Sequence, residues 1–452
     1  MKDLTKGNTF KVLLIFSIPL ILSGLLSQTY NLFDLMIAGK FVGDNALSAI
    51  GCSTTFIQFV SSLFWGFGVA AATITGELYG EKNYRKIVTI TKTILILNTV
   101  IMFAVCAFSI IFARQILTLL KVDEIIYDDA LTYFIIYFIA LFIQSIYYQI
   151  VSILQSLGNS RYPMLMTLGT SVTNIGLNLL FVLVFKLGVF GLAIATLISS
   201  VVGLILGGIK IMITIKELGG DFKLEFDNKE LKEFLLIAIP CVLQQSALYL
   251  SSVVVQPVIN ALGKDVSAGY SVAMNLSLLI NAVYHSVSRS IATYTSQSKG
   301  ARLYKNFSKG IRIGIALQVI FCAPIVALIA IFPNEISGIF LNTKDSGCLP
   351  YAVQFVPLCL PFIIFVAYGN LMHSFYKSVE AVKTVLVSTT LFTVARILLT
   401  YFIPNNNYIF SVYLGLSLAW VIEAIILTVI YFSGIWKSKE QKAYELSLKE
   451  TK

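Results

Sequence analysis

The sequence predicts an all-α polytopic membrane protein, with twelve transmembrane helices in two pseudo-symmetric six-helix lobes around a central cavity. Three observations carry this. Hydrophobic residues make up 57% of the 452 and charged residues 12%, against roughly a quarter charged in soluble domains. Apolar runs of about 20 residues, the length that crosses a hydrocarbon core, recur along the whole chain. The chain also repeats itself. The stretch IPLILSGLLSQTYNLFDLMIAGKFVGDNALSAIG from Ile18 returns, altered, as IPCVLQQSALYLSSVVVQPVINALGKDVSAGYS from Ile239. Pro19 matches Pro240 at a shift of 221, and Gly43, Gly80 and Tyr84 match Gly263, Gly300 and Tyr304 at 220. A long internal repeat in a membrane chain reads as a duplicated module. Runs such as IVALIAIF (325–332) do not alternate, which excludes a β-barrel.

Taken in order, the spans fall at 12–38, 47–76, 93–113, 130–156, 163–185 and 188–209, then at 234–262, 268–295, 313–332, 350–376, 384–403 and 408–432. The first follows a charged start, has no cleavage motif, and is expected to be a retained span. The longest polar stretch, KELGGDFKLEFDNKELKEF, lies midway. The expected organisation is therefore an N-lobe at 1–215 (spans 1–6), a cytoplasmic linker at 216–233, a C-lobe at 234–436 (spans 7–12) and a cytoplasmic tail at 437–452. Six spans return the chain to its starting side, so the repeats are parallel. GLAIAT (191–196) and GLSLAW (415–420) continue the match more loosely.

The net charge of +10 is explained by position. Of the 33 Lys and Arg residues, 25 lie at the two ends and in the even-to-odd loops, and six lie in the odd-to-even loops. That bias places both termini in the cytoplasm of a cell-membrane protein. It calls for no nucleic acid, because the positive side faces anionic lipid. The six cysteines have no metal-binding spacing and sit mostly in apolar runs, as small core residues do. With only two histidines, a His-based metal site is not expected.

Asp34 is the sharpest signal. An ionised acid at mid-membrane costs about 2.5–3.5 kcal/mol on insertion scales, and survives by facing a polar cavity, taking a proton or binding a cation. Gln28, Asn31 and Asp34 repeat every third residue with Tyr30 one turn before the acid, giving one polar stripe on span 1. A solvated position at the span's outer end is the bland alternative, and the apolar LMIA that follows argues against it. Asn174 and Asn178 share a face of span 5 at i, i+4, either as glue between helices or as carbonyl ligands. Thr196 lies on span 6. Glu77 sits at the cytoplasmic end of span 2, whereas Glu423 lies deep in span 12, with Arg396 of span 11 as a candidate partner. In the second half Gln244, Gln245, Asn275, Asn281, Tyr284, His285, Arg289, Tyr368, Asn370, His373 and Tyr376 are dense enough for a hydrated cavity or binding surface, although each alone is more often interhelical glue. There is no GxxxxGK[ST], no HExxH and no Ser/His/Asp arrangement. No enzyme activity and no prosthetic cofactor are expected, so transport would draw on an ion gradient.

The first-span proline, YNLFDLMIAG, GDNALSAIG, ELYGEKNYRK, NIGLNLLFV (174–182) and LGVFGLAIAT (187–196) together resemble the multidrug and toxin extrusion (MATE) transporters over nearly the whole chain. The resemblance implies a cation-coupled antiporter that uses H⁺ or Na⁺ to export amphipathic, cationic organic compounds or drugs by alternating access. It implies an N-lobe cation site at Asp34, Asn174, Asn178 and Thr196, with Na⁺ at Asp34. Substrate would line a cavity reached by Gln28, Asn31, Tyr30, Gln244, Gln245, Asn281, Tyr284, His285, Tyr368, His373 and Tyr376. The partners expected are a small molecule and membrane lipid, with the chain acting as a monomer. Two departures stand out. Asn178 occupies a place where the family commonly has Asp, and spans 7 and 10 hold none of the acids that some members use there. The alternative within the same superfamily is a flippase for lipid-linked saccharide, which often has extra spans and a more basic cavity. A membrane-embedded transferase would need acids or histidines converging at one membrane face, and the sequence shows no such cluster.

Overall fold

In a bilayer every backbone N–H and C=O must find its partner within the protein, so long apolar runs become helices. In a computed structural model that describes residues 2–120, 122–220, 228–338, 347–403 and 408–450, all regular structure is helical. Twelve helices among the described residues are long and apolar enough to cross a membrane. They are spans 1–6 at Thr9–Val42, Phe56–Gly80, Tyr84–Ile111, Glu124–Ser156, Arg161–Val184 and Gly188–Glu217, and spans 7–12 at Glu230–Ile259, Asp265–Gly300, Asn306–Ile331, Leu349–Ser378, Val382–Phe402 and Ile409–Ser433.

The ends differ from the sequence expectation where local chemistry decides them. Spans 1 and 5 close in π-helical turns, Ala38–Val42 and Leu180–Val184. Span 10 is broken into Leu349–Val353, Phe355–Cys359, a 3₁₀ turn at Leu360–Phe362 and Ile363–Ser378. Pro357 and Pro361 account for the breaks, since each removes a backbone donor and crowds the preceding turn, whereas Pro350 sits in the first turn, where proline is tolerated. Helix also enters both ends of the midway polar stretch: span 6 continues to Glu217 and the span 7 helix starts at Asn228. The middle of the expected linker, 221–227, lies outside the described residues. The charged tail contains a helix, Lys439–Glu450.

The repeat is visible in backbone conformation. Gly43 and Gly263, each entering the second helix of its half, have φ 118° and 105°, a region open to glycine at little cost. Lys82 and Arg302, also 220 apart, share left-handed φ values of 60° and 58°. Each donates its N–H to the carbonyl three residues back, Tyr79 or Lys299.

By their contacts the residues divide into two units. The first holds Met1–Asp3 and Ile18–Val242; the second holds Leu4–Ser17 and Leu243–Lys452. The first helix of each half therefore begins in one unit and continues in the other, changing membership next to Pro19 and Pro240. Within the second unit the N-terminal stretch is held by polar bonds, Leu4 N–H to Gln297 Oε1 at 2.9 Å and Ser17 Oγ to Ser290 Oγ at 2.8 Å.

Each unit has a buried amide hub. In the first, Gln149 of span 4 donates to the Phe64 carbonyl at 3.1 Å and to Asn98 Oδ1 at 3.2 Å, joining spans 2, 3 and 4. In the second, Gln318 of span 9 donates to the Ala367 carbonyl at 2.9 Å and to Ser288 Oγ at 3.2 Å. Small residues let the backbones close up, as is usual where lipid supplies no hydrophobic drive between helices. Gly66 is the tightest case that involves backbone on the partner helix within the first unit: a Cβ there would stand 2.6 Å from Val242 Cα. Gly66→Ala is expected to destabilise the protein by about 1–3 kcal/mol through overpacking. Gly51→Ala, where a Cβ meets nothing within 4 Å, should have a much smaller effect. Melting midpoints of the purified variants in detergent check this, and equal midpoints would refute the close approach.

Candidate functional site

Span 1 meets span 5 through two polar clasps with the same spacing on each helix. Ser23 Oγ pairs with Thr167 Oγ1 at 2.8 Å. Eleven residues further along both helices, Asn178 Nδ2 donates to Asp34 Oδ1. Eleven residues are close to three turns, so both clasps fall on one face of each helix and the two helices run parallel. The π-helical turns begin four residues after Asp34 and two after Asn178. Such turns recur at functional positions because they break the regular stacking of a helix.

From Asp34 a hydrogen-bonded chain leads inward. Asn178 Nδ2 also donates to Asn174 Oδ1 at 3.0 Å, and Asn174 Nδ2 donates to Thr196 Oγ1 at 3.4 Å. Thr196 passes its own proton to the Leu192 carbonyl at 3.1 Å. The proton inventory is informative. Both amide hydrogens of Asn178 are used, while its buried Oδ1 has no partner. A buried acceptor left unpaired carries a desolvation cost of about 1–3 kcal/mol. Next to a carboxylate, such an oxygen is what a cation would use as a ligand. Asp34 is half-buried, and Asn174, Asn178 and Thr196 are buried. The structure thus brings together all four residues expected for the N-lobe site, within the first unit.

Sequence reasoning missed two neighbours. Tyr133 and Tyr137 of span 4, with ring centroids 5.3 Å apart, lie within electrostatic reach of Asp34, as does Tyr30. Aromatic residues in an apolar span give no polar signal of their own. Their i, i+4 spacing was the available cue.

The residues expected to line a substrate cavity divide by burial. Asn31 and His285 are exposed, and Gln28, Tyr30, Gln245, Asn281 and Tyr368 are half-buried. Gln244, Tyr284, His373 and Tyr376 are buried inside the second unit. Tyr376 donates its hydroxyl to the Leu427 carbonyl at 2.7 Å, and Tyr368 pairs with Thr428 Oγ1 at 2.9 Å, so both tie span 10 to span 12. Gln244 Oε1 accepts from Lys377 Nζ at 2.7 Å. Lys377, counted from sequence with the cytoplasmic loops, is a buried residue of span 10. The candidate pairing of Arg396 with Glu423 does not form. Arg396 donates to Ser251 Oγ at 2.9 Å, Ser252 Oγ at 3.2 Å and Tyr270 Oη at 3.4 Å, and Glu423 faces His373 instead.

The MatE family pattern matches residues 19–180 and 240–402, most of the chain in two blocks. The chain belongs to the MatE family. The two blocks start at the paired prolines, so the family's own repeat coincides with the one read from sequence. As a MatE protein this chain is a multi-pass membrane transporter of the multidrug efflux kind, and not an enzyme. Among relatives, the "Probable multidrug resistance protein YoeA" of Bacillus subtilis is 23% identical, with 96% of each chain covered. The "Multidrug export protein MepA" of Staphylococcus aureus is 24% identical, with 75% of each covered. The fold is shared with a mutant of the Vibrio cholerae MATE transporter VcmN, at TM-score 0.88 and 16% identity, covering 95% of this chain and 98% of that one. It is also shared with a MOP superfamily transporter from Pyrococcus furiosus, at TM-score 0.90 and 18% identity, covering 96% and 98%.

Proposed function

We propose that this MatE protein is a cation-coupled antiporter that exports amphipathic organic compounds, organic cations among them, by alternating access. H⁺ or Na⁺ is the coupling ion and Asp34 is its binding group. The observation that supports this most is the pairing of Asp34 with an amide whose own oxygen is buried and unpartnered. A monovalent cation can sit against the carboxylate and take that oxygen as a second ligand. A proton has an equivalent route: once Asp34 carries it, the carboxyl becomes a donor, and a half-turn of the Asn178 amide presents the oxygen to accept. Either event removes net charge at the junction of spans 1 and 5. A bound ion shifts a conformational equilibrium only by its differential affinity for the two states, and a group whose charge it cancels supplies that difference. The names of the relatives, a multidrug export protein and a probable multidrug resistance protein, support the substrate class.

The test is efflux of the fluorescent organic cation ethidium from proteoliposomes under an imposed pH or Na⁺ gradient. Wild-type protein should drive efflux under at least one gradient. No efflux under either, with active reconstitution shown by another route, would overturn the reading.

A second reading has one observation in its favour. Arg289 is exposed on span 8, well inside its length, and a basic group there suits an acidic headgroup such as that of a lipid-linked saccharide. In the solved Pyrococcus furiosus transporter, a reversed polarity of the binding pocket suggests a different function. Scrambling of a fluorescent pyrophosphate-linked lipid without any imposed gradient would favour the flippase.

We place both ends of the chain and the 216–233 stretch in the cytoplasm, with the protein acting as a monomer in the cell membrane. Ile125 is 80% exposed in the 3₁₀ turn that opens span 4, and Lys82 is exposed between spans 2 and 3. An impermeant maleimide added to intact cells should label Ile125→Cys and spare Lys82→Cys until the cells are opened. The reverse pattern would invert the orientation.

A further inference from the structure

Glu423 is, among the described residues, the one carboxylate in the interior of a span of the second unit, and it is 5% exposed. Across from it on span 10 lies His373, 6% exposed, with Nε2 3.4 Å from Glu423 Oε1. Gly369, one turn earlier on span 10, makes the approach possible, because a Cβ there would stand 3.3 Å from Glu423 Oε2. The third member is Ser388 of span 11, whose Oγ is 3.0 Å from Nε2. Ser388 gives its only proton to the Val385 carbonyl at 2.9 Å. The imidazole must therefore be the donor in that contact, and Nε2 carries hydrogen. Glu423 Oε1 meanwhile has no hydrogen-bond partner.

A buried carboxylate oxygen beside an imidazole, with no aligned donor, has room for one further proton. That proton has two homes. On Oε1 it leaves two neutral partners; on Nδ1 it leaves an imidazolium–carboxylate pair. Both states are uncharged overall, whereas without the proton a net negative charge stays buried in the membrane.

The surrounding groups are few. Lys377 lies one turn on from His373, and His285 of span 8 also faces His373. Arg289 and Lys377 face His285 in turn. Tyr284 of span 8 faces Glu423, and Cys322 of span 9 faces Tyr284. On span 11, Arg396 is occupied by two serines and a tyrosine.

We propose that His373 and Glu423 form a proton-binding site of the second unit, separate from Asp34, with Ser388 orienting the imidazole. The exchange is acid–base only. An O–H bond of hydronium breaks as the carboxyl O–H forms, and the reverse step returns the proton to water. The site rests on the transport reading only for its place in a transport cycle, since proton binding is measured without transport.

Infrared difference spectra of purified protein between about pH 5 and pH 9 test it, with Asp34→Asn as background so that the other carboxyl is silent. A carboxylic acid C=O band should appear on acidification in Asp34→Asn and be lost in the Asp34→Asn/Glu423→Gln double variant. His373→Gln in the same background should shift the band's midpoint by about one pH unit or more. A band unchanged by Glu423→Gln overturns the site. If that variant does not fold, a midpoint unchanged by His373→Gln overturns it instead. A wild type that moves no ethidium under either gradient defeats the transport reading and leaves this titration standing, so the two failures are distinguishable.

Discussion

Asp34→Asn is expected to abolish ion-driven export while leaving the fold intact. The substitution keeps the size and planarity of the side chain. It replaces the contact of Asn178 Nδ2 with Asp34 Oδ1 by an amide–amide bond of the same length scale. What disappears is the charge. Holding a carboxylate at this depth costs about 2.5–3.5 kcal/mol, and a proton or Na⁺ that binds there recovers that cost. Without it, ion affinity should fall on the order of 100-fold, at 1.4 kcal/mol per factor of ten. Protein yield, monodispersity and melting midpoint should stay close to wild type, because a neutral amide suits a buried polar site at least as well as an acid does. Ethidium efflux is then read under pH and Na⁺ gradients separately. Wild-type rates under both would move coupling away from this site, with Glu423 and His373 next in line.

The second large effect is expected from Asn178→Asp. The donor that satisfies Asp34 is exchanged for a second carboxylate at hydrogen-bond distance. Two carboxylates that close cannot both stay charged without a cation between them. The variant should therefore become Na⁺-dependent in both stability and transport. Its melting midpoint should rise when Na⁺ replaces K⁺ at equal ionic strength, as ligand binding to the folded state requires. The apparent Na⁺ affinity in efflux should increase about tenfold or more, an interaction of at least about 1.4 kcal/mol. Identical behaviour in the two salts would show that Asn178 does not border the ion.

The members of the first unit's candidate site were legible as polar residues stranded in apolar runs, and the family resemblance grouped them. Asp34, Asn174, Asn178 and Thr196 each break a hydrophobic pattern, and helical spacing puts the two asparagines on one face. Other features were hidden for reasons that are equally physical. Tyr133 and Tyr137 present mostly ring to the surrounding span, so composition cannot separate a place near Asp34 from core packing. Gln149 and Gln318 were passed over although each organises the centre of its unit. A single buried amide in a span looks the same whether it holds three helices or one. The pairing of Glu423 could not be read because sequence gives the face of a helix but not which neighbour covers it. Arg396 was the obvious opposite charge, yet its guanidinium found hydroxyls on spans 7 and 8, and the acid found an imidazole. Lys377 was counted with the loops because it follows the last apolar residues of span 10. The structure draws it inside, where Gln244 caps it.

The exchange of first-helix segments between the units bears on how the protein is made. Translation delivers Leu4 and Ser17 long before their partners Gln297 and Ser290 exist. Ser17, in the opening of the first helix, precedes its partner Ser290 by 273 residues. Its native docking waits for span 8, and until then the incomplete chain is exposed to misassembly. The same arrangement constrains ancestry. A single module from before the duplication, built to this pattern, would have no home for its own opening segment. It would have lent that segment to a second copy and borrowed one in return, as domain-swapped dimers do. On that pattern, joining two copies in one gene would turn an exchange between molecules into one within a single chain.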